Sequence, residues 1–251
     1  MIINKKYFSI FYLGIKNTLI FRANTLISLL TQVVNLCVSL WIWKILLSSS
    51  ADFIEMTKYL LLTNVTAIIF TTYPLYFFAD LVSSGKLSMY VTKPMSMYWY
   101  IYLYNLGRQS LFLIFYFGLI MIFSKDILVV SALFIYMFIA NFMFFNFMLL
   151  LGELSFWIIN MWPLRNGINA VYLLLGGLYF PLNMLNKSIY VWIRFNPFSL
   201  VTDVPANLII SGISSKLIVY IIAAVIWLIL FRILQKYLFE KGFKKYEGVG
   251  I

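Results

Sequence analysis

Apolar residues in this chain neither alternate nor gather into one amphipathic stripe; they run on for the length of a membrane crossing, separated by short polar stretches. At a rise of about 1.5 Å per residue, a helix needs about 20 such residues to cross a hydrocarbon core of about 30 Å. The pattern predicts spans over about 23–47, 57–79, 97–123, 127–151, 166–185 and 217–238. Ahead of them, residues 3–20 mix Lys5, Lys6 and Lys16 with Tyr7, Phe8 and Phe11, which predicts an amphipathic helix at the membrane interface. Its apolar piece, Tyr7 to Ile15, is short, is followed by Lys16 and Arg22 and lacks a small-residue cleavage site, so it is read as retained. No stretch reads as soluble, and residues 1–251 are expected to form a single transmembrane domain.

Composition narrows the solvent and the fold. With 63% hydrophobic and 11% charged residues, the chain holds more apolar side chain than one soluble core encloses, so its solvent is lipid. Gly and Pro are scattered through helix-length runs, and the alternating segments of about ten residues that build an outer-membrane barrel are missing. The expected fold is an all-α membrane protein. Cys37 stands alone and there is no histidine, which excludes an internal disulfide, a cysteine metal cluster, a Ser-His-Asp triad and an HExxH zinc site.

The fifth run departs from the others. It carries no charge from Asn166 to Asn186, yet it contains Gly176-Gly177 and then Pro181-Leu182-Asn183. From Arg165 to Gly176 a helix rises about 16 Å, roughly half the hydrocarbon core, and then loosens. The pieces that follow, around Arg194-Pro197 and from Asp203 to Gly212, predict short helices returning toward the outer surface. Irregular backbone at membrane depth survives only under protein or beside a water-filled cavity, because an unpaired peptide group facing lipid costs several kcal/mol. Two readings stay open: the broken, partly re-entrant element lines a path, or Gly176-Gly177 lets two helices pack closely and Pro181 merely ends the helix.

Charge sets the expected orientation. With both ends inside, twelve Lys and Arg residues fall on inner segments and five on outer loops, the positive-inside bias. The formal charge of +11 is read as topological, because no dense basic face for nucleic acid appears. Between the second and third spans, residues 80–100 open with Ser83-Ser84-Gly85 and stop at Lys93-Pro94, which frames a short cytoplasmic helix. Leu87, Tyr90 and Val91 fall at i, i+3 and i+4 as an apolar stripe, while Lys86 and Lys93 stay solvated. Such a helix either docks in a partner's groove or rests on lipid headgroups.

Several segments in this order resemble the membrane subunit of type-2 ABC exporters: FRANTLISLL (21–30), SGKLSMYVTKP (84–94), LSFWIIN (154–160), GGLYFPLNML (176–185), FNPFSLVTDVPANLIISG (195–212) and the tail KGFKKYEGVG (241–250). One departure is that PLNMLN lacks a second proline often found after this position in that family. The resemblance implies a six-helix permease of the bacterial cytoplasmic membrane, multi-pass with both termini cytoplasmic. It implies a second permease, identical or related, and two ABC ATPase subunits that bind ATP and Mg. The chain has no G-x-x-x-x-G-K-[ST] phosphate loop of its own, so it is expected to be no enzyme and to hold no cofactor. Gly85, Lys86, Leu87, Tyr90, Val91, Lys93 and Pro94 are then the expected coupling segment. Alternating access is expected to open a path lined by Gly176, Gly177, Tyr179, Phe180 and Pro181 of the broken element, with Phe70, Tyr73, Tyr76 and Tyr172.

Arg108 lies within the third span, where it either snorkels to the inner interface or braces an inner gate by pairing with Asp80 or Glu153. Aromatics reach 20%, and those beyond the interfacial belts suit a hydrophobic or amphipathic cargo: a drug, an antimicrobial peptide or a lipid-linked molecule. An ion-coupled carrier is the rival, but the spans are nearly free of Asp and Glu; an ABC importer permease would show a Glu-Ala-Ala coupling loop, and none is present.

Overall fold

A computed structural model describes residues 2–47, 49–93, 95–124, 127–158, 160–212 and 216–246, and all regular structure among them is helical. In chain order the helices are α1 (Ile2–Ile20), α2 (Arg22–Leu46), α3 (Ser50–Ile69), α4 (Tyr73–Ser83), α5 (Leu87–Val91) and α6 (Met97–Ser124). They continue with α7 (Ile127–Glu153), α8 (Leu164–Leu175), α9 (Lys187–Ile193), α10 (Pro197–Val201), α11 (Asp203–Ser211) and α12 (Lys216–Phe243). Pro94 of the expected coupling segment, and residues 247–250 of the tail motif, lie outside the described residues.

Among the described residues, five helical stretches are long and apolar enough to cross a membrane: Arg22–Leu46, Ser50–Ser83, Met97–Phe123, Ile127–Phe156 and Lys216–Phe243. The sixth expected crossing, 166–185, does not form one helix. Its regular part, α8, has 12 residues and rises about 18 Å before Gly176 ends it. The second crossing is longer than the expected 57–79 and is broken at residues 70–72, between α3 and α4. Pro74 explains that break: it has no N–H to donate, and its ring would collide with the Phe70 carbonyl in a continuous helix, so it sits instead in the first turn of α4.

In lipid, apolar side chains gain little by meeting one another, so helices associate through close packing and polar contacts. Both devices are present. α1 packs along α6 with Gly14 facing Gly107, and a Cβ on either residue would collide with backbone of the other helix. The helix expected at the membrane interface is thus docked along α6. α4 crosses α7 at Gly152, where an added Cβ would sit 2.8 Å from the Leu75 carbonyl oxygen. Buried amides tie α7 to its neighbours: Asn141 Nδ2 donates to Gln109 Oε1 of α6 at 2.7 Å, and Gln235 Nε2 of α12 donates to the Asn146 carbonyl at 3.0 Å.

Two apolar cores result. The larger joins α3, α6, α7, α10, α11 and α12 around Tyr59, Tyr116, Tyr136 and Phe144. The smaller, at the α5 end, gathers Phe78, Leu81, Leu87, Ile101, Tyr102, Phe145 and Leu149. α2 is peripheral: it packs on α3 through Leu36, Leu40 and Trp43 but fully buries no side chain.

Candidate functional site

At the α5 end, the chain leaves α4 through Gly85, in the left-handed region at φ +71°, and turns directly into α5. The expected stripe of Leu87, Tyr90 and Val91 does not act as one surface. Leu87 is fully buried in the smaller core, and Tyr90 packs edge-on to Phe77 and Tyr100. These two side chains hold α5 onto its own bundle. What faces outward is Met89 (61% exposed) and Val91, flanked by Lys86 and Lys93. Lys93 lies over the Tyr90 ring, 4.3 Å from its centre, so its charge caps the aromatic anchor. A five-residue helix cannot nucleate alone, and its position depends on this anchoring.

Beside α5 opens a cavity of about 490 Å³, lined by Tyr90, Val91, Met97, Glu153, Arg232 and Lys236 among others. Within its largely apolar lining, Tyr98 donates its hydroxyl proton to Asn146 Oδ1 at 3.0 Å, and the Arg232 guanidinium stacks 3.8 Å above the Tyr98 ring. Glu153 is nearly enclosed, with one carboxyl oxygen lacking a hydrogen bond. It shares this cavity with Arg232, and Asp80 is exposed at the end of α4. Arg108 is elsewhere, stacked over Tyr73 at 3.8 Å. Among the described residues no ion pair joins Arg108 to Asp80 or Glu153. The expected brace is not formed, because the planar cation finds an aromatic face in place of a carboxylate.

The break after α8 is a buried knot. Gly177 adopts φ +70°, and a Cβ there would strike the Tyr59 hydroxyl, so glycine is required twice over. The Tyr59 hydroxyl lies 2.6 Å from Asp203 Oδ1 and 2.8 Å from the Gly177 carbonyl, and Leu182 N–H donates to the same carboxylate oxygen at 3.2 Å. Thr202 Oγ1 donates to the Gly176 carbonyl, and Asn196 Nδ2 donates to the Leu175 carbonyl at 3.0 Å. Loosened carbonyls at the end of α8 are thereby answered by side chains of the returning segment. Asp203 Oδ2 is enclosed without a hydrogen bond.

The residues expected along the path do not share one surface. Gly176 and Gly177 belong to this knot, and Pro181 borders a small cleft with Tyr59, Asp52 and Glu55. Tyr179 is half exposed, with its carbonyl accepting from Trp43 Nε1 at 2.9 Å, and Phe180 beside it is partly buried. Tyr76 stacks on Trp162 under Arg165. Phe70, Tyr73 and Tyr172 border two adjoining clefts between α2 and the bundle, which meet at Thr71.

Those clefts contain the groups that a reading of the sequence passes over. The larger, about 350 Å³, presents Asn17, Asn24, Asn105, Arg108 and Gln109; the smaller, about 270 Å³, presents Gln32, Asn35, Asn64 and Asn169. Neutral amides escape a search for Asp and Glu in the spans. The signal was the spacing of Asn24, Ser28, Gln32 and Asn35, three to four residues apart on one face of α2.

Residues 34–250 match the family model described as ABC-2 family transporter protein. The chain belongs to the ABC-2 transporter family. No curated protein matches it at a significant level. It is a multi-pass membrane protein, and ABC-2 family membrane proteins generally work with ATPase subunits. The match takes in the second half of α2 and every later element of this ABC-2 permease, including α5 and the knot, whereas the α1 and early α2 walls of the larger cleft precede it.

Proposed function

We propose that the chain is the membrane subunit of an ATP-driven exporter, fuelled by two separate ATPase subunits and paired with a second permease, identical or related. The α5 end faces the cytoplasm in this reading, as the positive-inside bias requires, with both termini on that side. The supporting observation is the two-faced α5: Leu87 and Tyr90 anchor it, while Met89 and Val91 stand outward between Lys86 and Lys93. An exposed apolar pair between cations, fixed to three packed helices, suits a groove on another protein. Force applied there reaches α4, α6 and α7 through the smaller core. ATP and Mg are held by the partner, and cargo moves by alternating access between two permeases. The cargo class is hydrophobic or amphipathic.

The test is to seek an ABC ATPase in the neighbouring reading frames, co-purify it with this chain and measure ATP hydrolysis in proteoliposomes. Met89→Asp is expected to reduce recovered ATPase at least fivefold with an unchanged melting temperature. Leu87→Asp, which places a charge in a core, is expected to lower the melting temperature itself. Solute movement by the purified chain alone under an ion gradient, or full coupling in Met89→Asp, would overturn the proposal.

A further inference from the structure

The cleft around Arg108 combines features that the exporter reading does not use. Its walls come from the α1–α2 junction, the break between α3 and α4, and α6. Arg108 is its cation, and among the described residues no Asp or Glu lines it. The guanidinium is steadied by the Tyr73 face and not by a counter-charge. A cation at membrane depth without an anion is unfavourable, a cost that a bound anion offsets.

Two further side chains point to a ligand. Asn105 is 3% exposed, lines the cleft and makes no side-chain hydrogen bond among the described residues. Gln109, 5% exposed, accepts from Asn141 through Oε1, which leaves its NH2 group as a donor on the cleft side. With Asn17 and Asn24 at the rim, amide and guanidinium donors converge on one space. Arginine with several neutral donors matches a tetrahedral oxyanion whose oxygens each accept more than one hydrogen bond. At about 350 Å³ the cleft has room for a phosphate and part of a glycerol or sugar. α2 buries no side chain, so its remaining surface is open to acyl chains.

We propose that the Arg108 cleft is a binding site for a phosphate group, such as an amphiphile carries in its head, with Arg108 as the charge partner and Asn105 and Gln109 as buried donors. The phosphate source is either a lipid headgroup or free phosphate.

The experiment uses the full chain in neutral detergent, without nucleotide or ATPase, so its result does not depend on transport. Binding is followed by native mass spectrometry and thermal melting with three probes: dioctanoyl phosphatidic acid, dioctanoylglycerol and inorganic phosphate. Phosphatidic acid is expected to bind at least tenfold more tightly than dioctanoylglycerol, which has the same tails and no phosphate. Binding of inorganic phosphate alone assigns the site to the free anion; binding of phosphatidic acid without competition by phosphate assigns it to a lipid. Arg108→Gln is expected to lose at least tenfold in affinity, Arg108→Lys to keep part of it, and Asn105→Leu to lose several-fold. Lys187→Gln, on the exposed first turn of α9, is expected to bind as the unsubstituted chain does. Equal binding of both dioctanoyl probes, no binding of any probe, or unchanged affinity in folded Arg108→Gln and Asn105→Leu overturns the proposal.

Discussion

Asp203 and Arg108 each place a charge-bearing group inside an apolar bundle, in opposite circumstances. Asp203 is fully enclosed, and one of its oxygens is shared by the Tyr59 hydroxyl and the Leu182 N–H. Arg108 is partly exposed, borders an open cleft and leans on a ring. The first group is spent on structure: it closes the gap left where α8 stops at Gly176. The second is left available. In a membrane protein, the mere presence of a polar side chain within the spans therefore does not mark a site; the state of its partners does.

Substitutions at three positions would break or sharpen this contrast. The largest effect is expected at Asp203. Replacement by alanine leaves the buried Leu182 N–H without its acceptor and takes from the Tyr59 hydroxyl one of its two acceptors, the Gly177 carbonyl remaining, and should lower stability by about 3 kcal/mol in detergent melts. Asp203→Asn keeps an acceptor at the same place, so it should retain most of that stability; if it falls as far as alanine, the ionised carboxylate and not the geometry holds the knot. Gly177→Ala follows, at about 2 kcal/mol, from its positive φ and the approach of the Tyr59 hydroxyl. The smallest effect belongs to Arg108→Gln, within about 0.5 kcal/mol when no anionic ligand is present, because it breaks no ion pair. A melt as low as that of Asp203→Ala would show Arg108 to be structural, and the contrast would fail.

Local signals in the sequence carried much of this architecture. The apolar runs fix four long crossings to within a few residues at most ends, and Gly176-Gly177 with Pro181 announces the interrupted element. Lys86 to Lys93 frames a short helix for the same reason, since its boundaries are turn residues. Features that depend on chain-distant pairs were not legible. Gly14 and Gly107 are 93 positions apart, and only their contact shows that α1 is docked. Periodicity places Leu87, Tyr90 and Val91 on one stripe but cannot say that Phe77 and Tyr100 would claim part of it. For Arg108 the sequence offers two acidic candidates, and the nearby Tyr73 ring wins because the break before Pro74 brings it there. The amide-lined clefts were hidden because each Asn or Gln, taken singly, is an unremarkable interruption in a greasy run.

The interruption at residues 70–72 has a mechanical corollary. Above it, α3 is clasped through Tyr59 to the knot; below it, α4 is pressed on α7 at Gly152. Thr71 borders both amide clefts, so the joint is also the party wall between two compartments. A swing of about ten degrees at such a fulcrum would carry the far end of the eleven-residue α4 by about 3 Å.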